Sequence, residues 1–242
     1  MSKSPTVLGI DLGTSSVKIA VLDSQKDLIY SSSIPYKTDF CDWKEWIRCC
    51  TKLIADVPVD IKKTLIACSV DATSGTLIAC DLNGNPLGNA LPYYLSCSES
   101  LKELDMMFPG QEVNPGSFSN FSSLARALRL FREYGSTCLL RHQADWVSGW
   151  LIGDWSWGEE GNNLKLGWNL IEQSWPSIFL SSKWTNSFPR IVPSGSKLST
   201  IDRRQSALLG LPKDLIVIAG TTDANAAVLS LDLEPHDGVT VL

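Results

Sequence analysis

The chain is poor in the residues that most often build a metal centre. Only two of its 242 residues are histidines, His142 and His236, and its seven cysteines form no C-x-x-C pair. A zinc site is therefore not expected. The odd cysteine count suggests no disulfide framework. Cys68, Cys80 and Cys138 lie in apolar runs and Cys49 and Cys50 are adjacent, so buried thiols in a reducing compartment are expected. No Lys/Arg run occurs and the formal net charge is -5, so a nucleic-acid partner is not expected. No apolar stretch approaches the ~20 residues that span a bilayer, and no membrane partner is expected. The opening MSKSPTVLGI has neither a signal-peptide core nor a transit composition. The expected location is cytoplasmic. Neither G-x-x-x-x-G-K-[ST] nor G-x-G-x-x-G is present, which excludes a Walker loop and a dinucleotide fingerprint.

What is there is an ordinary globular composition, 44% hydrophobic and 19% charged, long enough for a sizeable core. Val7 to Leu12 and Val17 to Asp23 are apolar, β-branched runs around a Gly/Thr/Ser connection, the pattern of an antiparallel hairpin. Asp27 to Tyr36 reads as a third strand. Trp43, Trp46, Ile47, Cys50, Leu53, Ile54 and Val57 recur at helical spacing behind Asp42, a candidate N-cap, and Pro58 marks the stop. Thr64 to Val70 and Leu215 to Gly220 read as buried strands. "TLIACDLNGNPLG" reads as a strand and an N-G turn. Ser98 to Tyr134 reads as mostly helical, broken by the loop "FPGQEVNPGS". "RHQADWVSGWLIG" reads as a helix, "DWSWGEEGNNLKLGW" as a polar loop, "TTDANAAVLSLDL" as a helix and "HDGVTVL" as strand-like. Strands alternating with helices give an α/β class, and the opening hairpin makes the sheet mixed. No internal repeat or linker interrupts it.

Four places could carry chemistry. In "GIDLGTSSVK", Asp11 sits in an apolar strand and is followed by Gly13, Thr14, Ser15 and Ser16. Backbone amides and hydroxyls around one carboxylate suit phosphate oxygens and a hydrated Mg²⁺, and Lys18 adds a positive charge. A plain hairpin with a polar turn is the competing account. Asp223 follows a buried strand and opens a helix, whose positive end favours an ionised carboxylate able to take a proton from a hydroxyl. Capping of that helix, by Asp223 or a neighbouring threonine, is the competing account. In "VDATSGT" a strand ends in small polar residues, and Thr73 and Ser74 could bond a polyhydroxylated substrate; a simple loop competes. Asp145, an acid in an apolar helical stretch, must face solvent, cap, be paired, or accept hydroxyls. The nine tryptophans are mostly expected in the core.

These segments, in this order, resemble the FGGY family of carbohydrate kinases along nearly the whole chain. "GIDLGTSSVK" is similar to that family's first phosphate motif, which actin-like chaperone ATPases share. "DATSGTLIACDLNGNPL", "HQADWVSGWLIG", "FPRIVPSGSKLSTI" and "LPKDLIVIAGTTDANAA" resemble later segments. "LLRHQADWVSGWLIGDW", "NNLKLGW" and "AGTTDANAA" look most like the plant and cyanobacterial D-ribulose kinase branch, also called xylulose kinase-like. The resemblance implies an actin-like/ribonuclease H-like ATPase domain with helices on both faces of a mixed sheet. It implies ATP-dependent phosphorylation of a sugar, with ATP and Mg²⁺ as cofactors. Asp223 would be the general base and would meet the sugar. Asp11 would hold Mg²⁺ and orient the reacting groups. Gly13, Thr14, Ser15 and Lys18 would face the phosphates, and Thr73, Ser74 and Asp145 would contact the sugar. At "LPYYLSCSES" the chain offers Ser96 and Cys97 where the family has a sugar contact, a departure from its pattern. Residues 1–242 would then be the N-terminal, sugar-binding domain, and the C-terminal ATP-binding domain would be the missing partner. The competing functions are a non-catalytic sugar-binding or interaction domain and a chaperone-type ATPase. The particular sugar and the oligomeric state are not legible.

Overall fold

The computed structural model describes residues 4–109, 115–180 and 183–231, with His236 and Gly238. The strand-like reading of "HDGVTVL" and part of the "FPGQEVNPGS" loop lie outside those residues. The first three strands, β1 (Thr6–Leu12), β2 (Ser16–Leu22) and β3 (Leu28–Pro35), form an antiparallel meander. Then come α1 (Trp43–Asp56), the short α2 (Val59–Lys62), β4 (Leu65–Ala72) and β5 (Leu77–Cys80). The helices α3 (Leu101–Met107) and α4 (Ser123–Tyr134) lead to β6 (Leu139–His142) and α5 (Gln143–Ile152). After β7 (Trp157–Glu159), α6 (Glu160–Asn163) and α7 (Ser177–Leu180) the chain forms β8 (Arg190–Val192) and β9 (Lys197–Thr200). It continues as α8 (Arg203–Leu209), β10 (Ile216–Ile218) and α9 (Asp223–Leu229).

Among the described residues the main sheet has six strands in the order β3-β2-β1-β4-β10-β9. It is parallel at β1–β4 and β4–β10 and antiparallel elsewhere. Alternation along β1 decides its two faces. Leu8, Ile10 and Leu12 are buried, whereas Val7, Gly9 and Asp11 point the other way. The buried face packs on α1 and α5. Asp42 caps α1, accepting from the Lys44 amide at 3.0 Å, and the edge-on rings of Trp46 and Trp146, 5.8 Å apart, join the two helices. The second face is flanked by α9, whose Ala226 and Leu229 line the same cavity as Asp11. Helices thus stand on both faces, α1 and α5 on one and α9 on the other.

A second core lies under β5, α3 and α4, with Leu104, Phe108, Leu128 and Phe179 buried together. All seven cysteines are buried and unbridged. Two readings differ from the sequence. "DWSWGEEGNNLKLGW" is not a loop: it holds β7 and α6, too short for periodicity to reveal. Leu139–His142 forms β6, pairing antiparallel with β5, before the helix begins at Gln143.

Close packing fixes how β10 delivers α9. A Cβ added at Gly220 would stand 1.9 Å from the Val70 carbonyl oxygen, which is backbone and cannot swing away. Gly220→Ala is expected to destabilise the fold by about 1–3 kcal/mol, read as a lower urea midpoint with unchanged slope. An unchanged midpoint would mean that β4 and β10 separate freely here.

Candidate functional site

The parallel strands β1, β4 and β10 end side by side, and the acidic residues stand at those ends. Register sets Asp11 beside Asp71 and Leu12 beside Ala72. An isolated parallel bridge joins Ala72 to Thr222, one residue before Asp223. Asp11, Lys18 and Asp71 share the open face of the sheet. With Gly9, Ser69 and the loop of Ser194 and Gly195 they line a cavity of about 860 Å³ that reaches α9.

Asp11 pairs with Lys18 across the hairpin at 3.4 Å. Both are partly exposed, so this pair contributes little to stability. Its consequence is local charge: the Lys18 ammonium beside Asp11 is already engaged there. Among the described residues, Asp71 has no such partner. One of its carboxylate oxygens is buried without a hydrogen bond. Burial, then the charge of Asp11 and in lesser part that of Asp223, push its carboxyl up to about 7, against Lys18. The strand's alternation places Asp71 on the face of Asp11 and could have marked it from sequence.

The hairpin turn, Gly13 to Ser15, is closed by the Gly13 amide donating to the Ser16 carbonyl at 3.1 Å. Thr14 and Ser15 are exposed at its tip. The helix that Asp223 opens is capped by Thr222, whose hydroxyl accepts from the Asn225 amide at 3.3 Å. Asp223 therefore occupies the first helical position, exposed, with one oxygen accepting from the Ala224 amide at 2.8 Å. Its charge reaches Lys165, whose ammonium is lowered by burial and by Arg126.

The Asp71–Thr76 turn is held from behind. Gly75 takes a positive φ of 97°, and its carbonyl accepts from Arg126. Arg126 is wholly buried and donates also to the carbonyls of Tyr93, Leu95 and Phe121. Burial lowers its guanidinium to about 10, and the four carbonyls satisfy its fork without a carboxylate. Thr73 is buried. Its hydroxyl meets that of Thr76 at 2.7 Å and donates to the Gln143 side-chain oxygen at 2.9 Å. Ser74 is half-exposed at the turn.

Asp145 is only 2% exposed and does not line the cavity. Its oxygens accept from the Glu159 amide and from the Asn163 side chain, both at 3.1 Å. Glu159, 1% exposed, caps α6: it accepts from the Gly161 and Asn162 amides, the Asn162 side chain and the Ser194 hydroxyl. Of the alternatives open to an acid here, Asp145 takes a buried, hydrogen-bonded one. His142 stands beside it, neutral, lowered to about 3 chiefly by burial, with its ring bonded to Ser123. Arg126, Gln143 and Glu159 were missed in the sequence: most partners of Arg126, the side-chain partner of Gln143 and the Ser194 partner of Glu159 lie far away along the chain, and α6, which Glu159 caps, is too short to show a period.

No protein-family model matches the chain. Among solved structures, it superposes on glycerol kinase from Plasmodium falciparum, crystallised with ADP, with a TM-score of 0.79 and 16% identity. The match covers 93% of this chain and 50% of that one. Xylulose kinase from Rhodospirillum rubrum gives 0.79 at 17% identity, covering 93% of this chain and 51% of that one. Gluconate kinase from Lactobacillus acidophilus gives 0.75 at 18%, covering 92% and 49%. The fold is thus the actin-like/ribonuclease H-like ATPase fold of sugar kinases. The chain spans about half the length of those it matches.

Burial and the charge of Glu159 push the Asp145 carboxyl up to about 8, against its hydrogen bonds from the Glu159 amide and Asn163. An unfolded aspartate titrates near ~3.9, so the native state holds this proton more tightly. The stability that Asp145 contributes is full below the unfolded value and is lost as pH rises through about 8. Asp145→Asn cannot titrate. The stability difference, wild type minus variant, is expected to fall between pH 5 and pH 9 in urea melts; Asp71 titrates in both proteins and cancels. A difference that stays level or grows with pH would refute the assignment.

Proposed function

We propose that residues 1–242 are the sugar-binding, catalytic-base domain of an ATP-dependent carbohydrate kinase of the FGGY type, acting on a pentulose such as D-ribulose or D-xylulose. The observation that carries this reading is the arrangement at the strand ends. Asp11 stands on the open sheet face beside an exposed Gly-Thr-Ser turn, and Asp223 opens a helix that Thr222 already caps. The fold shared with xylulose, glycerol and gluconate kinases supports it, as do the ordered segments that resemble the FGGY family.

In this reading Asp223 accepts the proton of the sugar hydroxyl that attacks, which requires an ionised, accessible carboxylate. Asp11 would hold Mg²⁺. An acid on the open face of the sheet next to a buried, unpartnered Asp71 oxygen suits a hard cation that takes oxygen ligands. ATP supplies the phosphoryl group, and Mg²⁺ neutralises phosphate charge. Thr14 and Ser15 present their amides and hydroxyls to the phosphates at the tip of the turn that the Gly13 amide closes, with Lys18 beside them. Ser74 is the hydroxyl presented to the sugar at the strand end. Thr73 and Asp145, with their polar atoms engaged, hold the wall on which the sugar rests. The chain spans about half of the matched kinases, so the nucleotide-binding domain is the expected partner, and the 242 residues alone bind sugar and turn over slowly or not at all.

Calorimetric titration with D-ribulose and D-xylulose, with ADP release in Mg–ATP measured in parallel, tests this. Sugar binding and any ADP release that depends on sugar are expected. Asp223→Asn is expected to cut that release by roughly 10²–10⁴-fold while leaving sugar binding in place. ATP hydrolysis independent of sugar would favour a chaperone-type ATPase, and activity that survives Asp223→Asn would remove it as the base.

A further inference from the structure

A lysine stands between the turn at Ser74 and the helix that Asp223 opens. Lys165 follows α6 in a single turn of 3₁₀ helix, Leu164–Leu166. Contacts on two sides fix where this segment lies. A Cβ added at Gly75 would stand 3.7 Å from Lys165 Cδ, so the lysine stem rests on the turn that presents Ser74. A Cβ added at Gly161 would stand 3.2 Å from Asn225 Nδ2, so α6 rests on the first turn of α9. The same Asn225 nitrogen donates to the Thr221 hydroxyl at 3.2 Å, two residues before Asp223. Residues 161–165 thus bridge the strand end of β4 and the helix start after β10. Lys165 is exposed, and among the described residues it forms no ion pair. Its stem is covered while its head is open, as long cationic side chains often are. Arg126, behind the turn, has its donors engaged by four carbonyls. The Lys165 donors are not spent in this way.

The chemistry of a ketose asks for such a group. Its hydroxyls both donate and accept, but its carbonyl oxygen, or the ring oxygen of the closed form, only accepts. Ionised Asp11 and Asp223 only accept as well and cannot meet that oxygen, whereas an ammonium carries three donors and no acceptor. We propose that Lys165 is a further substrate-binding residue, its ammonium donating to the acceptor-only oxygen of the ketose between Ser74 and Asp223. This rests on the sugar-kinase reading above and adds to it the donor that the two carboxylates lack.

Calorimetric titration of the whole 242-residue chain with D-ribulose and D-xylulose tests this. Lys165→Met keeps an apolar stem and removes the ammonium. It is expected to weaken binding roughly 10–100-fold, with an unchanged urea midpoint. Labelling of the wild type with acetic anhydride, read by mass spectrometry, gives a second readout. Bound sugar is expected to slow acetylation of Lys165 several-fold and to leave that of Lys52, exposed and paired with Asp56 on α1, unchanged. Binding as tight in Lys165→Met as in the wild type overturns the assignment and leaves the sugar site standing. Acetylation of Lys165 at the same rate with sugar bound does the same, and it decides alone where Lys165→Met also lowers the urea midpoint. If neither sugar binds the wild type, the pentulose reading falls and the role of Lys165 falls with it.

Discussion

The register between β1 and β4 is the constraint on which the site depends. It sets two carboxylates side by side, and a slip of one residue would turn Asp11 into the core and Leu12 out of it. The apolar half of each strand, Leu8, Ile10 and Leu12 against Cys68, Val70 and Ala72, holds the register by burial. The acidic half is thereby carried on the open face. The hydrophobic core therefore supplies the energy that keeps two carboxyl groups close, and Lys18 offsets the charge of Asp11. The bridge from Ala72 to Thr222 extends the same row to Asp223.

Much of this was legible in the sequence where the signal is local. Alternation marked β1 and β2, helical spacing and Asp42 marked α1, and the polar residues after Leu215–Gly220 marked the start of α9. Asp11 and Asp223 stood out because a carboxylate at the end of an apolar run is conspicuous. What stayed hidden depends on distant partners. Gln143 and Thr73 meet across 70 positions and Glu159 and Ser194 across 35; neither pair leaves a periodic trace. Short elements such as β7 and α6 hold too few residues to show a period. Asp145 was conspicuous as an acid in an apolar helix, but which of its open solutions the fold uses is decided by Glu159 and Asn163.

Behind the strand ends the chain spends buried polar groups on order. Arg126 gathers the carbonyls of Gly75, Tyr93, Leu95 and Phe121, so a single side chain ties three stretches of irregular backbone. Glu159 does the same from the other side, joining the first turn of α6 to the loop at Ser194. Loss of either would leave several buried groups unsatisfied at once, a larger cost than any one bond. Irregular backbone such as the turn at Ser74 gains rigidity this way without needing secondary structure of its own.

The outer edge of the sheet has a different consequence. β3 closes the meander and, among the described residues, its far side pairs with no further strand of the sheet. A free edge of that length could template pairing with another chain. Here the edge is broken at both ends, by a register shift opposite Leu22 and by Pro35, and its middle is Ser31, Ser32 and Ser33. A bulge, a missing amide hydrogen and three small polar side chains make it a poor template. The same serines that border the cavity thus also make up the middle of this edge.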